Sequence, residues 1–273
     1  MPLPVVIRPL RTHAEREACV ALQETTWGAG FAERVPASLL AVVPRIGGVA
    51  AGAFAPDARL LGCVFGITGV EDGRLVHWSD ILAVAPDARD AGIGRRLKEY
   101  QRDTVRRLGV HRIYWTYDPL VARNAHLNLV RLGARVTEYV PDMYGAEPVS
   151  ALHRGIGTDR FIVAWEIDPD ASRARVIDPR AESGTPVVGL GGGAIPAGAP
   201  RFRVEIPADI HTVQGASLAE AAAWRAATRR ALGDALAAGF AVAGFYRDRA
   251  GDRCFYVLER GAPPGPAAAG GRA

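Results

Sequence analysis

The sequence predicts an α/β fold, of the α+β kind, in which a mixed sheet is flanked by helices. Three observations carry this. Apolar runs of strand length alternate with helical patterns through residues 5–167. Three of those runs, 49–54, 60–67 and 77–84, follow one another closely and read as an antiparallel meander. The third ends in Arg89-Asp90-Ala91-Gly92-Ile93-Gly94, a glycine-bearing turn that leads directly into an amphipathic helix.

Residues 5–8 read as a first strand. Thr12 and Glu15 form a capping box for a helix running to about Thr26, with Gly28 at C′. A short helix follows Pro36, a residue suited to a first helical position. The meander comes next, its first two strands split by Pro56-Asp57-Ala58. In the helix after Gly94, Ile93, Leu97, Tyr100, Val105 and Leu108 fall close to one face, and Gly109 stops it. Residues 112–117 form a strand ended by Asp118-Pro119. A helix over 122–132 stops at Gly133, and strands follow at 135–140 and 161–167.

The periodic pattern then collapses. Pro169, Pro179, Pro186, Pro196 and Pro200, with Gly191-Gly192-Gly193, mark 169–200 as a linker or long loop. Order resumes at 202–206. Ser217 and Glu220 form a second capping box, opening a helix that ends near Gly239 with Leu218, Ala222, Leu232 and Leu236 as its apolar stripe. Strands at 240–246 and 254–258 complete a β-α-β-β unit. The predicted organisation is therefore a domain over 1–168, a linker over 169–200, a C-terminal unit over 201–260 and a flexible tail over 261–273.

Composition narrows the function classes. Hydrophobic residues at 49% and charged residues at 23% are ordinary for a soluble globular chain. No apolar run approaches the ~20 residues of a membrane span, and the N-terminus lacks a secretory pattern, so a cytoplasmic protein is expected. The net charge of +4 comes from arginines that are not interleaved with aromatics, and Lys98 is the only lysine. This gives nucleic-acid binding little support. Cys19, Cys63 and Cys254 match neither a zinc spacing nor a disulfide framework and read as buried apolar residues.

The loop carries the chemistry. A helix that begins at Gly92 or just after it leaves several backbone N–H groups without intrahelical partners, at the positive end of the helix dipole. Arg95 and Arg96 in the first turn oppose that dipole, which makes sense if they and Arg89 surround a multiply charged anion such as a pyrophosphate. Dinucleotide and nucleoside-triphosphate loops need other spacings, which are absent. The competing reading is an ordinary strand–turn–helix connection.

With Arg89, Gly92 and Gly94 matching [QR]-x-x-G-x-[GA], and with the order of elements over 5–167, the chain resembles the GNAT acyltransferase superfamily. Trp115-Thr116-Tyr117-Asp118-Pro119-Leu120, Arg123-Asn124-Ala125, Leu132-Gly133-Ala134, Asp142-Met143-Tyr144-Gly145 and Thr158-Asp159-Arg160 resemble a largely uncharacterised branch of it, some of whose members are associated with N-succinylamino-acid racemases. The resemblance implies a splayed mixed sheet with acyl-CoA in the gap. The loop Arg89, Asp90, Ala91, Gly92, Ile93, Gly94 and Arg95 would hold the pyrophosphate, and the backbone of Leu82, Ala83 and Val84 would pair with the pantetheine arm. It also implies transfer of an acetyl or succinyl group to the amine of a small carboxylate-bearing acceptor such as an amino acid. No metal, nucleic-acid or membrane partner is expected, and a homodimer is allowed. The family's helix tyrosine, which protonates the leaving thiolate, corresponds here to Leu129. That departure keeps a second reading open, a non-catalytic acyl-CoA-binding sensor or scaffold.

Several residues are candidates for the chemistry. Asp80 shares a strand face with Leu82 and Val84 and is a candidate base; a structural carboxylate is the alternative. His77 lies on the opposite face and reads as a satisfied core histidine. Tyr117 and Tyr144 are candidate acids in place of Leu129, against core or rim roles. Asn124 heads a helix, either to bind CoA or to cap that helix. His153, Asp159 and Arg160 lie in a glycine-broken loop suited to binding the acceptor, where an arginine fork fits a carboxylate; a local Asp159–Arg160 pairing is the alternative.

Overall fold

The computed structural model describes residues 4–145, 155–168, 177–248 and 251–261. The elements run β1 (Val6–Pro9), α1 (His13–Trp27), α2 (Ala37–Val42), β2 (Val49–Phe54), β3 (Leu60–Glu71), β4 (Arg74–Val84), α3 (Ile93–Arg106), β5 (Arg112–Tyr117), α4 (Ala122–Ala125), β6 (Arg135–Val140) and β7 (Arg160–Glu166). They continue with β8 (Val187–Val188), β9 (Arg201–Ile206), α5 (Ile210–Ala216), α6 (Leu218–Ala237), β10 (Phe240–Asp248) and β11 (Arg253–Arg260). The result is a mixed α/β fold. A seven-stranded sheet is ordered β1-β2-β3-β4-β5-β7-β6, and a four-stranded sheet is ordered β10-β11-β9-β8. Neighbours from β1 to β4 are antiparallel, and β5 runs parallel to β4.

Two compact units are present. One holds residues 4–115 with 166–168; the other holds 116–145, 155–165 and 177–261. The described part of 201–260 thus belongs to the same unit as residues 116–145 and 155–165.

In the first unit the predicted capping box is complete. Glu15 N donates to Thr12 Oγ1 at 3.1 Å, and Thr12 N donates back to Glu15 Oε2 at 3.3 Å. Gly28 ends α1 as expected but is not left-handed in the usual way: its φ is 111° and ψ 153°. Pro36 is the N-cap of α2 rather than its first residue. β3 and β4 run further than the apolar pattern suggested. Asp72 and Gly73 turn between them with φ of 48° and 76°, the backbone of a tight two-residue hairpin. A Cβ on Gly62 of β3 would lie 3.0 Å from Leu97 and 3.2 Å from Ile93, so the missing side chain lets α3 lie close on the sheet. Leu108 is exposed rather than on the buried face, because α3 stops at Arg106 and Leu108 falls in the following turn.

In the second unit the predicted helix over 122–132 is only briefly regular. After α4 it widens into a π-turn over His126–Arg131, where Leu132 N donates to Leu127 O. Part of the predicted linker is ordered. β8 pairs in parallel with β9, and Glu182 is buried against Arg201. The helix α5, capped by Asp209, was absent from the sequence prediction. The C-terminal elements are therefore β-α-α-β-β with β8 added. Along α6 the buried line is Ala221, Arg225, Thr228, Leu232 and Ala235; Leu218, expected inside, is 50% exposed. All three cysteines are free and buried, as expected.

Candidate acyl-CoA site

β4 and β5 pair over three residues only, Val76, His77 and Trp78 against Arg112, Ile113 and Tyr114. On its other edge β4 stays paired with β3 as far as Val84. From Ser79 onward the β5 side of β4 has therefore left its ladder, and Leu82, Ala83 and Val84 lie in that stretch. A β-bulge falls at the point of departure: Phe65 pairs with Ile81 and Gly66 with Ser79, which leaves Asp80 as the extra residue.

The strand continues into the predicted loop. Asp90 and Gly92 are both left-handed, with φ of 61° and 76°, and Gly92 is the N-cap of α3. No side chain caps this helix, so its first amides keep their donors for a ligand. A Cβ on Gly92 would meet nothing within 4 Å; one on Gly94 would lie 3.8 Å from Val84 and 3.9 Å from Leu82, on the side of the free strand end. The arginines divide their work. Arg95 pairs with Glu99 at 2.9 Å, and Arg96 donates to Val5 O at 2.9 Å, tying down the N-terminal strand. Arg89 is exposed beside the loop, with only a long 3.5 Å contact to Val84 O.

Asp80 is accessible, yet desolvation by its surroundings raises its carboxyl pKa above the ordinary value, and a hydrogen bond with Trp78 opposes the rise. His77 lies on the opposite face, fully buried and satisfied as expected. Gln101 Nε2 donates to His77 Nε2 at 3.0 Å, which assigns the proton to Nδ1 and directs it to Thr68 Oγ1 at 3.0 Å. Thr68 in turn donates to Gly47 O at 2.6 Å. Burial, with the nearby Lys98, depresses the His77 pKa to about 3. Lys98 was not singled out for its surroundings by the sequence. It is 2% exposed, donates to Ser79 Oγ at 2.7 Å and lies 3.8 Å over the Trp115 ring, and burial pulls its pKa well down.

The remaining candidates fall in the second unit. Tyr144 is half-buried, its hydroxyl 3.0 Å from Thr116 Oγ1 and its ring 5.2 Å from the Arg160 guanidinium. Tyr117 is buried beside Tyr256, whose hydroxyl donates to Pro119 O at 2.8 Å; burial drives the Tyr117 pKa up. Asn124 sits one turn into α4, whose N-cap is Val121 without a side-chain cap, so capping is not its role. Leu129 is buried.

Asp159 is wholly buried. It accepts from Tyr139, from Arg229 and from the backbone N of Asp142 at 3.1 Å. Arg160 is 7% exposed, donates to Asp159 O at 2.8 Å and stands 3.9 Å from Asp118. The adjacent pair is therefore built into a cluster that also holds Arg225 and Arg229 from α6, two residues the sequence reading missed. His153 lies outside the described residues. Among the described residues no group of His, Cys, Asp and Glu could hold a metal ion, and no helix is long and apolar enough to cross a membrane.

No family model and no curated protein matches the chain. Solved structures similar to it include the ribosomal-protein-S18-alanine N-acetyltransferase from Escherichia coli, at 18% identity over 63% of this chain and 100% of that one, with a TM-score of 0.46. The aminoglycoside 6'-N-acetyltransferase from Enterococcus faecium is 18% identical over 61% of this chain and 99% of that one, with a TM-score of 0.44. Arabidopsis thaliana Naa50, solved with the bisubstrate analogue CoA-Ac-MVNAL, is 18% identical over 59% of this chain and 97% of that one, with a TM-score of 0.46. The strand order, the short β4–β5 ladder and the Arg89–Gly94 loop at the start of α3 make a mixed α/β architecture of the kind that the resemblance to the GNAT acyltransferase superfamily implies.

Proposed function

We propose that the protein transfers an acetyl or succinyl group from a coenzyme A thioester to the amine of a small carboxylate-bearing acceptor such as an amino acid. The observation that carries the reading is the edge of β4 that leaves β5 after Trp78 and runs through Leu82, Ala83 and Val84 towards the uncapped start of α3. An extended pantetheine arm suits the free edge, since its amides can take the hydrogen bonds a strand would have taken. A pyrophosphate suits the first-turn amides of α3, with Arg89 and Arg95 beside it. The open space at Gly92 fits such a ligand, because a bare backbone can be approached closely.

The chemistry asks for little more. An amine must lose a proton, attack the thioester carbonyl and expel a thiolate, which then takes a proton. Asp80 is the base in this reading, directly or through water, and its raised pKa suits it to accept a proton. Tyr144 is the better candidate of the two tyrosines to donate, since the residue is only half-buried; Tyr117 is buried and its raised pKa makes it a poor acid. In this reading Asn124 serves CoA, and Arg160, with His153 and Asp159, serves the acceptor.

Buried, apolar Leu129 at the position of the family's acid favours a second reading, a protein that binds acyl-CoA without turning it over. One assay separates the two. Acetyl-CoA or succinyl-CoA is incubated with the protein and a panel of amino acids, peptides and polyamines, and free thiol is followed. Thiol release that depends on an amino acid supports the proposal. Release with only peptides or polyamines overturns the acceptor class, and saturable binding without amine-dependent release supports the sensor.

A further inference from the structure

We propose that the C-terminal half carries a second small-molecule site, for a zwitterion the size of a small α-amino acid. It is independent of the acyl-transfer reading. A cavity of about 130 Å³ lies between α6 and the loop that follows β8. That is room for a ligand of several heavy atoms.

Its parts differ in chemistry. The floor is apolar and buried, made by Ala227 and Ala231 of α6 and by Val188 of β8. The wall includes Gly192 and Gly193, both with positive φ, where a Cβ would meet nothing within 4 Å. Bare backbone therefore faces open space there. The rim carries Arg230 and Asp234, both exposed.

Those two residues stand one helical turn apart, with Cβ atoms about 6 Å apart by helix geometry. Arginine precedes aspartate, the weaker order for a pair along a helix. Among the described residues no ion pair joins them to each other or to another side chain. A simple anion at this rim would be repelled by Asp234, and a simple cation by Arg230. A molecule bearing a carboxylate and an ammonium on one carbon satisfies both, with its carboxylate on the Arg230 fork. The alanine floor then has room for a hydrogen, a methyl or a hydroxymethyl group.

The test is calorimetric and ligand-observed NMR titration of the full chain with glycine, alanine and serine, beside acetate and methylammonium. The small amino acids should bind saturably. Acetate and methylammonium should bind about tenfold more weakly or worse, each having lost one charged contact. Arg230→Gln and Asp234→Asn are exposed changes that leave the fold intact; each should weaken alanine binding about tenfold and leave acetyl-CoA binding unchanged. Absence of saturable amino-acid binding overturns the proposal. So does binding that survives in both variants, which would place the amino acid at an acceptor site elsewhere, and so does acetate binding as tightly as alanine.

Discussion

Arg225, midway along α6, donates Nη2 to Asp118 Oδ2 at 2.5 Å, and both side chains are almost wholly buried. The same guanidinium donates Nε to Ile156 O at 2.7 Å. One turn on, Arg229 bonds Asp159 and reaches Asp142 at 2.8 Å. The C-terminal helix is thereby joined through charged groups to the turn after β5 and to the loop before β7. Three arginines and three aspartates balance within this cluster, so it is neutral as a whole.

Breaking that pair should be severe. Arg225→Met leaves Asp118 buried without its main partner, at a cost of about 3–5 kcal/mol. Adding Asp118→Asn should recover a good part of the loss, because the stranded charge is then gone. Urea denaturation of the single and double variants measures both; equal losses would mean that the pair contributes by packing and not by charge.

His77 should make stability fall with acid. Its folded pKa is about 3, below the ordinary value of 6.5, so the unfolded chain binds the proton first as pH drops. Stability from this group is complete above about pH 6.5 and declines continuously towards pH 3. Between pH 7 and 5 the loss is about 2 kcal/mol. Denaturation midpoints of the wild type and His77→Gln across that range give the comparison, and the variant should show the shallower slope.

What the sequence made legible was local. The Thr12–Glu15 box, the span of β5 and the glycine turn that opens α3 depend on neighbours within a few residues, and all three are formed where the sequence places them. The Asp72-Gly73 hairpin was equally local, a tight-turn signal passed over because the apolar run had already weakened. The buried charges were not legible. Arg225 meets Asp118 across 107 positions, and until that contact is known an arginine on a helix reads as solvated. The same applies to Lys98, whose partners Ser79 and Trp115 come from two other strands. An arginine on its inner face is also why the stripe of α6 was misplaced: the apolar pattern gave way where the buried face carries charge.

Asp80→Asn should lower the turnover of amine acylation by about 10²–10⁴-fold and leave the acetyl-CoA Michaelis constant nearly unchanged. In the wild type the rate should fall on the acid side, as Asp80 takes up a proton at a pKa above the ordinary carboxylate value. A rate that is unchanged by the substitution, with the same acid limb, would remove Asp80 from the mechanism.

Arg160→Lys and Arg160→Ala should raise the Michaelis constant for an amino-acid acceptor without changing acetyl-CoA affinity. Because Arg160 also donates to Asp159 O inside the cluster, melting temperature is to be followed in parallel. A loss of stability with the Michaelis constant unchanged would make the residue structural.

The most direct measurement of the central claim is a calorimetric titration of acetyl-CoA into the wild type and Gly94→Val. Gly94 has ordinary φ, and an added Cβ would make only van der Waals contact with Val84 and Leu82, so the variant should fold. Its methyl groups would occupy space beside the strand end where the arm of the cofactor is proposed to lie. Binding should be saturable and one-to-one in the wild type, weaken with salt through Arg89 and Arg95, and be lost or reduced by at least about tenfold in the variant. No binding to the wild type, or equal binding to a folded Gly94→Val, would contradict the account.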